Sequence, residues 1–174
     1  MTIAEVLELY EYNRWAHQRV LESAAELGAE RYDRDIGGSF ASLRATMEHL
    51  LAAEVVWLAR WEGHSLADPP DYSGCSDSIA LRSIWDSFWK RQFTFLRSLS
   101  EEDLPHPVSI RTSSGIEAAQ MLSDTLIHVV NDSTYHRGQA ASQIRQLGGK
   151  PQSTDYFIYC LARDSGEPQA EVVP

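Results

Sequence analysis

Apolar residues recur at the three-to-four-residue spacing of an α-helix in four long segments, and this periodicity restricts the fold more than any other feature of the chain. The segments cover about residues 3–27, 40–62, 78–99 and 117–147. Each segment must bury its apolar face against another element. The sequence therefore predicts an all-α fold, a four-helix bundle rich in antiparallel neighbours.

The ends of these segments carry local signals. Gly28 and Gly63 follow the first two segments as helix terminators. Ser39 or Ser42 is expected to cap the second helix, and Ser114 with Glu117 has the spacing of a capping box before the fourth.

The region between the third and fourth helices and the C-terminal end is less regular. Residues 101–116 are predicted to be irregular, with the pattern of a short hairpin. Asp155 is expected to cap a short helix to about residue 163. We expect residues 1–164 to form a single domain and residues 165–174 to be a disordered tail.

Charge and cysteine content narrow the class of function. The chain has 15 basic and 25 acidic residues, a net charge of −10, which argues against nucleic-acid binding. Lys90 and Lys150 are its only lysines, so it has no polybasic patch for a membrane. Cys75 and Cys160 form no C-x-x-C motif, and no signal peptide or membrane-length apolar run is visible. These features favour a cytoplasmic protein.

The strongest chemical signal is the pair Asp132 and His136. Residues four apart on a helix lie on one face, so both side chains can be aimed at one point. His49, in the second helix, is the best candidate for a third ligand, because bundle metal sites are built from facing helices. His128 lies eight residues from His136, too far to share one ion. The alternative is that these are core histidines with satisfied ring nitrogens.

Four stretches of the sequence resemble one known family. They are Tyr12-Asn13-Arg14-Trp15-Ala16, His49 to Glu54 with Trp57 to Trp61, His128 to Asn131 with Tyr135-His136-Arg137-Gly138-Gln139, and Leu147 to Tyr156. On these residues the chain is similar to the DinB-like (damage-inducible, YfiT-like) metalloenzyme superfamily. The resemblance implies a four-helix bundle, often a homodimer, with zinc or nickel held by three histidines. The chain departs from this pattern at position 132, where it has aspartate instead of histidine.

The resemblance also implies a chemistry. Some relatives transfer bacillithiol or mycothiol, or use a thiol cosubstrate in isomerisation, and a metal would stabilise the thiolate. We therefore expect a divalent-metal-dependent enzyme, a thiol S-transferase or a metal-dependent hydrolase, acting on a small molecule. His49, Asp132 and His136 would be its metal ligands. Two alternatives stay open: a non-catalytic dimeric bundle that has lost the metal, and a metal-free small-molecule binding module.

Residues close to the candidate ligands in sequence are also considered. Gln139 lies one turn beyond His136 and could support that ring as an outer hydrogen-bond partner. Arg137 is expected to pair with a carboxylate such as Glu54, and Tyr135 to pack between helices. His17 is expected at a helix surface, with no functional role.

Overall fold

The computed structural model describes residues 1–64, 69–75, 77–111 and 117–166. In chain order the elements are α1 (Ile3–Ala25), α2 (Ala29–Tyr32), α3 (Leu43–Trp61), α4 (Ser78–Ser98), β1 (Pro107–Arg111), β2 (Glu117–Met121), α5 (Leu122–Gln146) and α6 (Tyr156–Asp164). The predicted mostly helical fold is therefore confirmed.

The four long helices, α1, α3, α4 and α5, pack around one apolar core. Helix α3 packs against α5, and α1 packs against both α4 and α5. Each helix contributes fully buried apolar side chains to this core, among them Tyr10, Leu50, Trp85 and Ile144. No helix in the described part of the chain is long and apolar enough to span a membrane.

Local signals set most of the helix ends. The Ser42 side chain accepts a hydrogen bond from the Ala45 amide and is the N-cap of α3. Asp155 caps α6 through the Phe157 amide. Gly28 and Gly63 have φ values of 76° and 79°, a backbone conformation that glycine tolerates at a helix end.

The predicted start of the fourth long helix is wrong. Glu117, the expected capping-box residue, lies in β2, and the helix begins only at Leu122. Strands β1 and β2 form an antiparallel hairpin in which Glu117 pairs with Arg111. Ladder hydrogen bonds thus replace the predicted first turns of the helix. Residues 112–116, which include the candidate cap Ser114, and the tail from residue 167 lie outside the described residues.

Two glycines, one inside α5 and one just after its end, differ in the space around them. A Cβ on Gly149 would lie 2.7 Å from Leu27 Cδ2 and 2.9 Å from Ile144 Cγ2, whereas a Cβ on Gly138 would meet nothing within 4 Å. Gly149 therefore permits a close approach between the end of α5 and the end of α1. Gly138 is an exposed position inside a helix.

We expect Gly149→Ala to lower the free energy of unfolding by about 1–3 kcal/mol through overpacking. Gly138→Ala should raise it by about 0.5–1 kcal/mol, because alanine loses less backbone entropy in a helix. Urea unfolding of both variants measures these changes. Equal effects of the two substitutions would contradict this account of the packing.

Candidate metal centre

The three predicted ligands lie on the two helices that form one side of the bundle. His49 is in α3, and Asp132 and His136 are in α5. The rings of His49 and His136 are in contact, with centroids 4.6 Å apart and an interplanar angle of 73°. Asp132 Oδ1 lies 3.5 Å from His136 Nε2. The structure thus brings the predicted residues together at one place between the helices.

Phe40 forms part of the same cluster and was not singled out from the sequence. Its ring centroid lies 4.6 Å from that of His49 and 5.6 Å from that of His136. The segment that carries Phe40 is fixed to α5, since the Gln143 side-chain amide donates to the carbonyl oxygens of Phe40 and Ser42. An aromatic ring therefore covers the two imidazoles on one side.

The hydrogen bond between His136 and Gln139 sets the state of the imidazole. His136 Nδ1 lies 2.8 Å from Gln139 Oε1. An amide oxygen only accepts, so Nδ1–H donates, and Nε2 of the neutral ring carries the lone pair. That lone pair is on the nitrogen nearest the Asp132 carboxylate. In this tautomer the two acceptors repel at this distance unless a proton or a metal cation lies between them.

The distance between these two acceptors suits two ligands of one ion. With bond lengths of about 2.0–2.2 Å, two donors of a tetrahedral zinc site are about 3.3 Å apart, close to the observed 3.5 Å. The third donor is not in place. Across the described ranges, no group of three His, Cys, Asp or Glu side chains is arranged so that it could hold a metal ion.

His49 is the side chain that would have to move. It is exposed, and within the described part of the chain no hydrogen bond fixes its ring. Burial chiefly lowers the pKa of His49; nearby His136 lowers it further, and Asp132 opposes this. A lowered pKa keeps the imidazole neutral, which is the form that binds metal.

A buried polar network lies directly behind the cluster, around the Glu54 carboxylate. Glu54 is 1% exposed and accepts four hydrogen bonds, each from a different side chain. The donors are Asn13 Nδ2 at 2.8 Å, His17 Nε2 at 2.8 Å, Gln92 Nε2 at 2.9 Å and Ser133 Oγ at 2.8 Å. Burial alone would raise the pKa of Glu54, but these donors, His17 first, lower it. The carboxylate is therefore stable in its charged form.

Arg137 supplies the balancing positive charge. It is 1% exposed and donates to Asn13 Oδ1 and to Thr134 Oγ1. The predicted direct pairing of Arg137 with Glu54 is wrong: Asn13 lies between the two side chains and bonds to both. His136 and Arg137 are adjacent in α5. One turn of that helix therefore places His136 in the cluster and the hydrogen-bonded Arg137 side chain in the core.

Two of the predicted side-chain positions are wrong. His17 is fully buried, with its ring 4.6 Å from that of Trp85 and Nε2 on Glu54. The local sequence does not indicate that His17 is buried, because its hydrogen-bond partner Glu54 lies 37 residues away in sequence. Tyr135 is 65% exposed and does not pack between helices. The contact between Gln139 and His136 is confirmed.

Comparison with known proteins identifies the family. The sequence model of the DinB family matches residues 2–169, nearly the whole chain. The chain belongs to the DinB family. Protein DinB of Bacillus subtilis (strain 168) is 29% identical over 157 residues, which cover 87% of this chain and 91% of that relative.

A solved structure of a DinB-like protein shares the fold of this chain. The crystal structure of a DinB-like protein from Bacillus cereus ATCC 10987 superimposes with a TM-score of 0.66 at 20% identity. The match covers 87% of this chain and 97% of that one. At this identity the likeness concerns the fold alone. The family resemblance read from the sequence is therefore confirmed, and the chemistry of this member of the DinB family has to be argued from its own residues.

The buried His17 leads to a prediction on acid stability. Burial lowers the pKa of His17. Below its ordinary pKa of about 6.5, the unfolded chain therefore binds a proton at this residue that the folded chain does not. The contribution of His17 to stability is complete above that pH and is lost as the pH falls through the folded-state pKa, by up to about 1.4 kcal/mol per pH unit.

His17→Asn should flatten the fall in the free energy of unfolding between pH 7 and pH 5, measured by urea titration at several pH values. His106→Asn is the matched control, because the His106 side chain is 70% exposed. It should keep the wild-type slope. An unchanged slope in His17→Asn would show that His17 is not held neutral by the core.

Proposed function

We propose that His49, Asp132 and His136 form a divalent-metal site and that the protein is a metal-dependent enzyme. The observation that carries this proposal is the arrangement of His136: Gln139 fixes its Nδ1 proton, which leaves the Nε2 lone pair facing the Asp132 carboxylate at 3.5 Å. Zinc or nickel is the expected metal. The proposal requires the exposed His49 ring to rotate until one of its nitrogens joins this pair.

The donor set suggests the kind of chemistry. Two imidazoles and one carboxylate leave a fourth position open, as in catalytic zinc sites. A metal held there would stabilise a thiolate or a hydroxide, which is suited to thiol S-transfer or to hydrolysis. Asp132 adds a negative charge that a histidine would not, so it should make the ion a weaker Lewis acid. We propose that the substrate is a small molecule, with a low-molecular-weight thiol as cosubstrate, and that the enzyme is a cytoplasmic homodimer.

A non-catalytic bundle is the second candidate. It is favoured by the incomplete ligand set in the described ranges and by aspartate at position 132. On this view the cluster is a polar contact between α3 and α5 that no longer holds an ion. The protein would then act through a protein partner or a small molecule.

Metal titration separates these functions. Wild-type protein should take up about one equivalent of zinc or nickel, measured by calorimetry and elemental analysis. His49→Ala and His136→Ala should lose most of the affinity while keeping the helical circular dichroism spectrum. Gln139→Leu should weaken binding by roughly 10–100-fold, the usual effect of losing an outer hydrogen-bond partner.

His106→Ala is the control for the removal of a histidine outside the candidate site, and it should bind metal like the wild-type protein. Full occupancy in His49→Ala or His136→Ala would contradict the assignment. No uptake by wild type, together with uptake by Asp132→His, would favour the bundle that has lost its metal.

The proposed dimer has its own test. Light scattering coupled to size exclusion should give twice the monomer mass of 19.6 kDa. Elution at the monomer mass across the micromolar range would contradict the proposed homodimer.

A further inference from the structure

A cavity lies between α3, α5 and the hairpin, and none of the candidate metal ligands lines it. Its volume is about 300 Å³, which is at the small end of the range for ligand sites. The lining residues come from α3, both strands and the first two turns of α5, and are Trp57, Ile110, Gln120, Asp124, Thr125 and His128.

The cavity and the metal cluster lie along the same contact between α3 and α5. At one end His49 meets His136, and at the other end Trp57 meets His128, with ring centroids 5.0 Å apart. Both pairs are eight residues apart along their helices, so α3 and α5 run antiparallel and in register between them. Eight residues are two turns, about 12 Å at 1.5 Å per residue. Asp132 lies halfway along this face of α5.

The polar groups of the cavity differ in what they can still bind. Thr125 Oγ1 already accepts from Trp61 Nε1 at 3.0 Å and donates to the Leu122 carbonyl at 2.8 Å. The Arg60 guanidinium covers the Trp57 ring at 4.6 Å from its centroid. These two groups are largely engaged. The remaining polar groups are the Gln120 amide, the His128 imidazole and the Asp124 carboxylate.

Asp124 is the acidic residue of the lining. It is exposed, and among the described residues no ion pair or hydrogen bond engages its carboxylate. Its position in the first turn of α5 also suits the helix dipole. That role explains a contribution to stability, but it explains neither the cavity nor the aromatic and apolar walls formed by Trp57 and Ile110.

We propose that this cavity binds the distal end of the substrate and that this end is a protonated amine on an apolar arm. The ammonium group would pair with Asp124, and the arm would lie against Trp57 and Ile110. The choice of a cation follows from Asp124, the single carboxylate among the described residues of the lining. The statement that this ligand is the substrate rests on the proposed function, because the cavity and the candidate metal ligands lie along the same α3–α5 contact, about 12 Å apart.

The first experiment uses metal-free protein, so that its result does not depend on the metal site. Phenethylamine is titrated by calorimetry, with phenethyl alcohol as the uncharged control. The amine should bind saturably, and about fivefold more tightly than the alcohol, as expected for one partly exposed ion pair. Asp124→Asn should remove this preference, and Trp57→Ala should weaken both ligands.

The outcomes are distinct. No saturable binding, equal affinities for the two probes, or a preference that survives in Asp124→Asn would each overturn the amine site. Urea unfolding of Asp124→Asn tests the alternative that Asp124 only stabilises the helix end. In that case the substitution lowers the free energy of unfolding but leaves the ratio of the amine and alcohol affinities unchanged.

A second experiment tests the link to the metal cluster. With zinc-loaded protein, 8-amino-1-octanethiol should bind more tightly than 1-octanethiol, and Asp124→Asn should abolish the difference. Equal binding of the two thiols would contradict the proposal that the cavity binds the distal end of the substrate. If the protein takes up no zinc, the proposed function fails, while the phenethylamine result still decides whether the amine site exists.

Discussion

The Glu54 carboxylate is the interaction on which the rest of the structure depends. It belongs to α3 and accepts hydrogen bonds from α1, α4 and α5, so it joins all four long helices. Removing a carboxylate from water costs several kcal/mol, and each hydrogen bond to a charged group returns about 1.5–3 kcal/mol. Since only one relative position of the helices supplies all the donors, slippage of any one helix would remove part of the hydrogen bonding of a buried charge.

This constraint also orients the candidate site. His49 lies five residues before Glu54 in α3, Asp132 directly precedes Ser133, and His136 directly precedes Arg137. The same turns of α5 therefore hold the buried network on one side and present the candidate ligands on the other. We infer that the contact between His49 and His136 follows from the core hydrogen bonds, since these fix how α3 faces α5. The site can then keep an exposed third ligand without losing its place in the bundle.

Much of the fold and part of the site could be predicted from the sequence, because they depend on local patterns. Helical periodicity predicted the long helices, and the four-residue spacing of Asp132 and His136 put them on one face. Two predictions failed where a contact outside the helix itself decides the outcome. Glu117 lies in a strand because pairing with β1 outweighs a capping signal. His17 is buried because it donates a hydrogen bond to Glu54 on another helix. Phe40 lies just before α3, which begins at Leu43 and not at about residue 40 as the apolar pattern predicted. Nothing in that pattern marks Phe40 as a neighbour of His49.

The central claim is that His49, Asp132 and His136 converge on a metal ion. Membership of the DinB family makes the claim reasonable, and the His136–Gln139 hydrogen bond gives it a physical basis, yet Asp132 gives this member a different donor set from the three histidines of the family pattern. Anomalous diffraction at the zinc edge, from crystals grown with zinc, tests it most directly. We predict a single strong peak bonded to Asp132, to His136 Nε2 and to a rotated His49. The absence of a peak between these residues, with zinc bound elsewhere or not at all, would contradict the account.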